Sequence, residues 1–434
     1  MQPVLQVHER PSLGPGILLS LQHLFAMFGS TVLVPVIFGV DPATVLLMNG
    51  IGTLLYLFIC KGRIPAYLGS SFAFISPVTF VMFEKGAGYA EVLGGFVVVG
   101  LLFIAVALLI GKVGTRWLDV VFPPAAMGAI VAVIGLELIP VAARMAGWIA
   151  PEGADAASWS HDPKVIVTSA ATLLVILLGT VLFRGFLRII PILVGFVVGY
   201  LVAWSQGLVD FGKIGGASAF AFPEFTTPRF ELSAILIIAP AALVVIAEHI
   251  GHLIVTGNMV GKDLSRDPGL HRSLLGNGLS TLLSGFVGST PNTTYGENIG
   301  VMAITRVYSV WVIGGAAVLA IAMSFFGKLS ALIASIPDPV IGGASLMLFG
   351  VIASAGIRML VEMKVDYAKP SNIVLTTVVL VIGISGTTLK WDYGWGTFEL
   401  KGMALATVTA IVLSLLFKAF ELIGWLKEGD RQAP

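Results

Sequence analysis

The feature that most constrains this chain is a succession of apolar runs, each long enough to cross a lipid bilayer as a helix. They lie at about 14–40, 42–60, 89–111, 117–143, 165–183, 187–205, 231–256, 307–327, 331–357, 371–388 and 402–425, against the roughly 17 to 25 residues that a spanning helix needs. Shorter pieces at 74–84, 272–287 and 298–305 bring the expectation to about fourteen crossings. The runs are continuous and do not alternate, which argues against a membrane β-barrel. Only 11% of residues are charged and the mean hydropathy is +0.97, too apolar for a water-facing surface. The first run is too long for a signal peptide and carries Gln22 and His23, so it reads as a retained helix. The expected fold class is an all-α polytopic membrane protein.

With fourteen crossings both termini fall on one side. Of the 25 Lys and Arg residues, 17 then lie on that side and 8 on the other, which makes the side of the termini cytoplasmic. The loops near 144–164 and 206–230 on the far side are rich in Gly, Ala, Ser and Pro and read as connections. The net charge of +1 implies no nucleic-acid partner. Cys60 is the single cysteine and can form no internal disulfide.

The chain also looks doubled. FPPAAMGAIVAVIG (122–135) recurs as IPDPVIGGASLMLFG (336–350), with Pro123 to Gly128 spaced as Pro337 to Gly342. Halves of about 1–210 and 230–425 each hold seven crossings, and an odd number inverts the second half relative to the first. Inverted repeats are a mark of carriers whose substrate site lies near the midplane, where interrupted helices meet. The interruptions are PAYLGSSFAFISP (65–77) and GSTPNTTYGENIG (288–300). Both are expected to be extended backbone leading into a half-helix in segments 3 and 10, tolerable only inside protein or along a cavity. Half-helix N-termini there would offer N–H donors to carbonyl oxygens of a ligand.

Ionisable side chains stand inside or beside these apolar segments: Glu248, His249 and His252 in AEHIGHL (247–253), and Glu297 in TTYGENIG (293–300). Such groups are functional candidates by default. Glu248 and His252 are four apart and share a helix face, whereas His249 points about 100° away. His249 and His23 also read as satisfied packing residues, and the two glutamates as hydrogen-bonded braces. Burial favours the neutral forms of these groups, which suits proton exchange near neutral pH. G-x-S-x-G, Walker A and H-E-x-x-H motifs and Cys/His metal clusters are absent from the sequence, so neither an enzyme nor a primary pump is expected, and no metal or cofactor. A channel stays open, but paired interrupted helices with buried titratable groups favour a carrier.

LQHLFAMFGSTVLVP (21–35), a strand at SSFAF (70–74), AEHIGHL and TPNTTYGENIGVMAITR (290–306) together resemble the nucleobase-ascorbate transporter family, most closely its bacterial uracil-carrying branch. The last stretch carries the family signature at Glu297, Asn298, Gly300, Thr305 and Arg306. The resemblance covers nearly the whole chain. It implies a core domain over about 14–112 and 231–327, a gate domain over about 117–207 and 331–425, proton symport across the bacterial inner membrane, contact with membrane lipid, and a homodimer. It places substrate binding on Phe72, Glu248, Tyr295, Gly296 and Glu297, proton coupling on Glu248 and His252, and supporting roles on Ser71, Asn298 and Thr305. Phe349 departs from the tyrosine expected at that place in close relatives, which bears on a gate contact. A purine carrier for xanthine or urate, or an anion transporter or channel of the same architecture, are the alternatives. The first is expected to have Gln at Glu297, the second a cation at the site.

Overall fold

A computed structural model of the chain describes residues 4–151, 154, 159–393 and 396–425. Lys427 and Arg431, which entered the charge comparison, and part of the 144–164 loop lie outside the described residues. The described residues fold into fourteen consecutive segments. Segment 1 is Leu13–Ala26 and Phe28–Phe38, and segment 2 is Pro42–Ile59. Segment 3 is strand β1 (Leu68–Ser70), a tight turn at Phe72–Phe74 and a short helix from Ile75 to Glu84. Segments 4 to 7 are Tyr89–Val113, Pro124–Met145, Pro163–Leu182 and Pro191–Ser205. Segment 8 is Leu232–Ile238 with Ala241–Val260, and segment 9 is Leu270–Val287. Segment 10 is strand β2 (Asn292–Thr294) followed by Gly296–Thr305. Segments 11 to 14 are Val310–Ser324 with Gly327–Ala334, Asp338–Glu362, Pro370–Ile384 and Gly402–Leu422. Among the described residues, seven helices are long and apolar enough to span a membrane unaided, and two bent pairs raise this to nine. The remaining segments are short or broken.

The second half repeats the first, inverted. Segment 4 packs along segment 9 as segment 11 packs along segment 2; segment 6 lies against 7 and 12 as segment 13 lies against 14 and 5. Segments 5 and 12, the pair that carries the recurring Pro-Gly spans, pack together in opposite directions. Gly128 near the start of segment 5 faces Leu360 near the end of segment 12, with a Cβ position 2.5 Å from its side chain, and Gly342 near the start of segment 12 faces the backbone of Met145 and Ala146. A side chain at either glycine has no room, so the two helices approach at backbone distance.

The two broken segments meet in the middle. β1 and β2 pair antiparallel, with Leu68 opposite Thr294 and Ser70 opposite Asn292. The ladder continues through Ser71 N–H to Pro291 O at 2.9 Å and Tyr295 N–H to Tyr67 O at 3.1 Å. Three residues per strand leave outer edges that need partners. Thr53 Oγ1 accepts from Leu68 N–H at 2.9 Å and donates to Leu68 O at 3.3 Å. Thr281 Oγ1 accepts from Asn292 N–H at 3.1 Å and donates to Asn292 O at 3.2 Å. Each threonine is the twelfth residue of an 18-residue helix, and each grips the first residue of its strand.

Three expectations need correction. The first strand is Leu68–Ser70 and not SSFAF (70–74), because the backbone enters a helical turn at Phe72 once Ser71 N–H has made the last ladder bond. The run read as 331–357 is two elements: Gly327–Ala334 turns 88° from Val310–Ser324, and segment 12 restarts at Asp338 after Pro337, with Pro339 in its first turn, where a missing N–H is tolerated. Segment 13, read as reaching 388, ends at Ile384, and β3 (Thr388–Tyr393) pairs antiparallel with β4 (Gly396–Lys401). Their Thr, Trp, Tyr and Phe residues favour extended backbone. β4 lies against the start of segment 8.

If the threonine grips close the strand edges, Thr53→Val and Thr281→Val should each destabilise the protein by about 1–3 kcal/mol, since both orphan buried peptide groups at nearly constant volume. Thermal unfolding in detergent measures this. Midpoints unchanged in both variants would contradict the assignment.

Candidate functional site

The β1–β2 pair fixes the side chains that follow each strand. After β1 come Ser71 and Phe72; after β2 come Tyr295, Gly296 and Glu297, at the N-terminus of the ten-residue helix Gly296–Thr305. Segment 8 passes beside both strands' ends and contributes Glu248 and His252. Phe349 of segment 12 reaches the same place, edge-on to Phe72 with centroids 5.9 Å apart. Phe72 lies nearly parallel to Tyr295, at 17° and 6.5 Å between centroids. Tyr295 is held by its hydroxyl, which donates to Ser70 O at 3.1 Å. Its ring rests on Gly69, where a Cβ would come 2.5 Å from the phenolic oxygen. Any side chain at position 69 would displace Tyr295.

Two carboxylates face this cluster with unmet hydrogen-bonding capacity. Glu248 Oε2 and Glu297 Oε1 are buried without a hydrogen-bond partner, as is the Ser71 hydroxyl, and the two glutamates are near enough for their charges to interact. An unpaired buried acceptor costs roughly 1–3 kcal/mol, so these oxygens are poised to receive N–H groups. The helix start at Gly296–Thr305 presents N–H groups of the opposite kind, of which that of Glu297 is bonded to its own carboxylate. His252 Nδ1 meets Thr294 Oγ1 at 3.2 Å, and its Nε2 lies 3.2 Å from where a Gly296 Cβ would stand. The hydrogen bond of His252 thus runs to β2 and not to Glu248.

The other singled-out residues serve the frame. Asn298 Nδ2 is 2.6 Å from His23 Nδ1, tying the half-helix of segment 10 to segment 1. Thr305 lies about 12 Å along the helix from Glu297, taking 1.5 Å per residue, where its hydroxyl donates to Val301 O at 2.9 Å. It closes the end of the half-helix and does not join the cluster. His249 Nε2 bonds Ser273 Oγ at 2.8 Å, and Tyr56 bonds the same oxygen at 2.7 Å. His23 and His249 are therefore partnered groups of the interior. Thr53 and Thr281 escaped sequence reasoning because a threonine in an apolar helix carries no distinguishing signal; their matched place in the two repeats was the clue.

This is the fold of a multi-span membrane carrier with a candidate site between two interrupted helices. The chain belongs to the Permease family (Xan_ur_permease), whose model matches residues 15–391. It is 63% identical over 425 residues to the uracil permease of Paenibacillus larvae, covering 98% of this chain and 99% of the relative. It is likewise 63% identical over 417 residues to that of Escherichia coli K12, covering 96% and 94%. Among solved structures it resembles the transmembrane domain of the cyanobacterial bicarbonate transporter BicA, with a TM-score of 0.58 at 15% identity over 97% of this chain and 99% of that one. It also resembles the murine anion transporter Slc26a9 in its inward-facing state, with a TM-score of 0.69 at 11% identity over 95% and 70%. At such identities the structural likeness speaks to fold alone.

The Asn298–His23 contact makes a stability prediction. Asn298→Leu should cost about 1–3 kcal/mol by leaving His23 unpaired, and adding His23→Leu should recover part of the loss. Equal, additive losses in a double-mutant cycle of unfolding midpoints would show that the two side chains do not interact.

Proposed function

We propose that this chain imports uracil by proton symport across the bacterial inner membrane, as a multi-pass secondary active transporter with both termini cytoplasmic. Support comes first from relatives that bear the name uracil permease at 63% identity over nearly their full length. The structural observation that carries the reading is the pairing of two partnerless carboxylate oxygens, on Glu248 and Glu297, with a half-helix N-terminus. Uracil presents two N–H donors and two carbonyl acceptors in one plane. Carboxylates suit the donors, and backbone N–H groups at the start of the half-helix, that of Gly296 among them, suit the acceptors. Phe72 and Tyr295 cover the ring face, a contact worth roughly 0.5–1.5 kcal/mol beyond burial. Ser71 offers a further polar contact.

Glu248 carries the transported proton, and His252, fixed on Thr294, sets its surroundings without touching the ring. Segments 1–4 and 8–11, about 14–112 and 231–327, act as a core that holds the substrate. Segments 5–7 and 12–14, about 117–207 and 331–425, act as a gate against which the core moves. The packing of segments 4 on 9 and 2 on 11, apart from that of 5 on 12 and 6 on 7, favours this division. The many exposed apolar side chains, among them Phe58, Leu108 and Val181, meet lipid, and the carrier works as a homodimer. A purine carrier fits less well, because an ionised Glu297 accepts hydrogen bonds and cannot donate to a purine carbonyl. An anion carrier is disfavoured by two acids at the site.

Glu297→Gln should weaken uracil binding at least about tenfold, since it loses a charge-assisted acceptor and can turn an amide donor against a ring N–H. Equilibrium binding of radiolabelled uracil to purified protein reads this. Affinity within threefold of the parent would remove Glu297 from the site.

A further inference from the structure

A polar cluster sits away from the uracil site, at the seam where the hairpin β3–β4 meets the helices. Its centre is Glu137, an acid inside the otherwise apolar segment 5 and hence a functional candidate. Glu137 Oε2 accepts from Met403 N–H, at the start of segment 14, at 2.6 Å. The same carboxylate shares a small cavity with Ser76 of segment 3 and lies within electrostatic reach of Lys401. Gly402 makes this approach possible. Its φ of +52 favours glycine, and a Cβ there would stand 2.5 Å from Glu137 Oε2. Lys401, the last residue of β4, places Nζ 4.0 Å from the ring centroid of Phe80 in segment 3, which Lys85 approaches at 5.6 Å. A cation over an aromatic face is attracted by the ring quadrupole.

Among these groups lies a cavity of about 20 Å³, with Ala73, Ile237, Ala241 and Glu399 in its walls. That is room for about one water and not for a nucleobase. The contacts join segments 5 and 14 and the hairpin on one side to segments 3 and 8 on the other. Segment 3 runs from Phe72 at the site through Ala73 and Ser76 to Phe80, so the cluster stands across the way from the hairpin face to Phe72.

We propose that Glu137, Ser76, Phe80 and the Lys401–Met403 turn form a clasp that holds the hairpin face of the carrier closed, and that it must part each time this face opens. The proposal rests on the alternating-access reading above. Each bond is individually modest, so the clasp can yield within a transport cycle, whereas an apolar seam packed to core density resists opening. Glu137 acts as a positioning residue: it biases the closed state and touches no substrate.

The test uses the full-length carrier with Ala73→Cys as reporter and a membrane-impermeant maleimide applied to the hairpin face. Ala73 is fully buried, so labelling reports opening and needs no substrate. Adding Glu137→Ala should speed labelling about tenfold or more. Glu91→Ala, which removes the exposed ion pair with Arg229 near the same end, should leave the rate unchanged. If Glu137→Ala does not fold, Ser76→Ala with Phe80→Ala breaks the clasp from the other side and should speed labelling likewise. A folded clasp variant that labels no faster than the reporter alone overturns the proposal, even if uracil is carried. Faster labelling in a clasp variant of a carrier whose parent protein fails to take up uracil keeps the clasp and removes the substrate assignment.

Discussion

Two threonine hydroxyls bear the constraint on which the rest depends. Where a chain leaves helical geometry within a bilayer, each exposed peptide group must find a partner in the protein. Here the breaks in segments 3 and 10 satisfy one another through β1 and β2, and Thr53 and Thr281 close the outer edges from equivalent places in segments 2 and 9. Because the halves are inverted, one strand runs up as the other runs down, and a single antiparallel ladder serves both. The ladder is short, so its geometry sets the direction of every side chain that follows it.

That direction makes the site. Gly69 gives Tyr295 a seat, the Tyr295 hydroxyl ties back to Ser70, and the half-helix begins at the next residue. Segment 8 then adds two inward side chains, Glu248 and His252, to the candidate cluster. Two carboxylates in a region of low dielectric repel more strongly than in water. On the proposed function, a substrate N–H or a proton at either carboxylate relieves that repulsion, which is how substrate and proton would be linked.

Much of this was legible from the sequence because bilayer physics is severe. Apolar run length marks the crossings, and breaks in the runs at Gly69–Ser71 and Ser289–Thr294 mark the interrupted segments. The recurring Pro123–Gly128 and Pro337–Gly342 spacing marks the repeat and reappears as the close antiparallel contact of segments 5 and 12. Less visible was whatever depends on pairing across long sequence separations. The three-residue length of β1, the turn at Phe72, the grip of Thr53 on Leu68 and the bond of His252 to Thr294 arise from partners that no local pattern announces. The hairpin at 388–401 escaped for another reason: hydropathy windows tuned to helices pass over a short extended ribbon. Glu137 stood in plain view among apolar neighbours, but its significance depends on Gly402 and Ser76, which are far from it in sequence.

The proposed coupling of uracil to a proton at one site is read out by uptake of radiolabelled uracil into proteoliposomes with an imposed pH gradient. Lowering the external pH from about 8 to about 6 at fixed internal pH should drive accumulation above the external concentration, because the proton is carried inward with the substrate. Unlabelled uracil should compete, and unlabelled xanthine should not. Uptake that ignores the pH gradient and follows a sodium gradient, or that xanthine blocks as well as uracil does, would contradict the account.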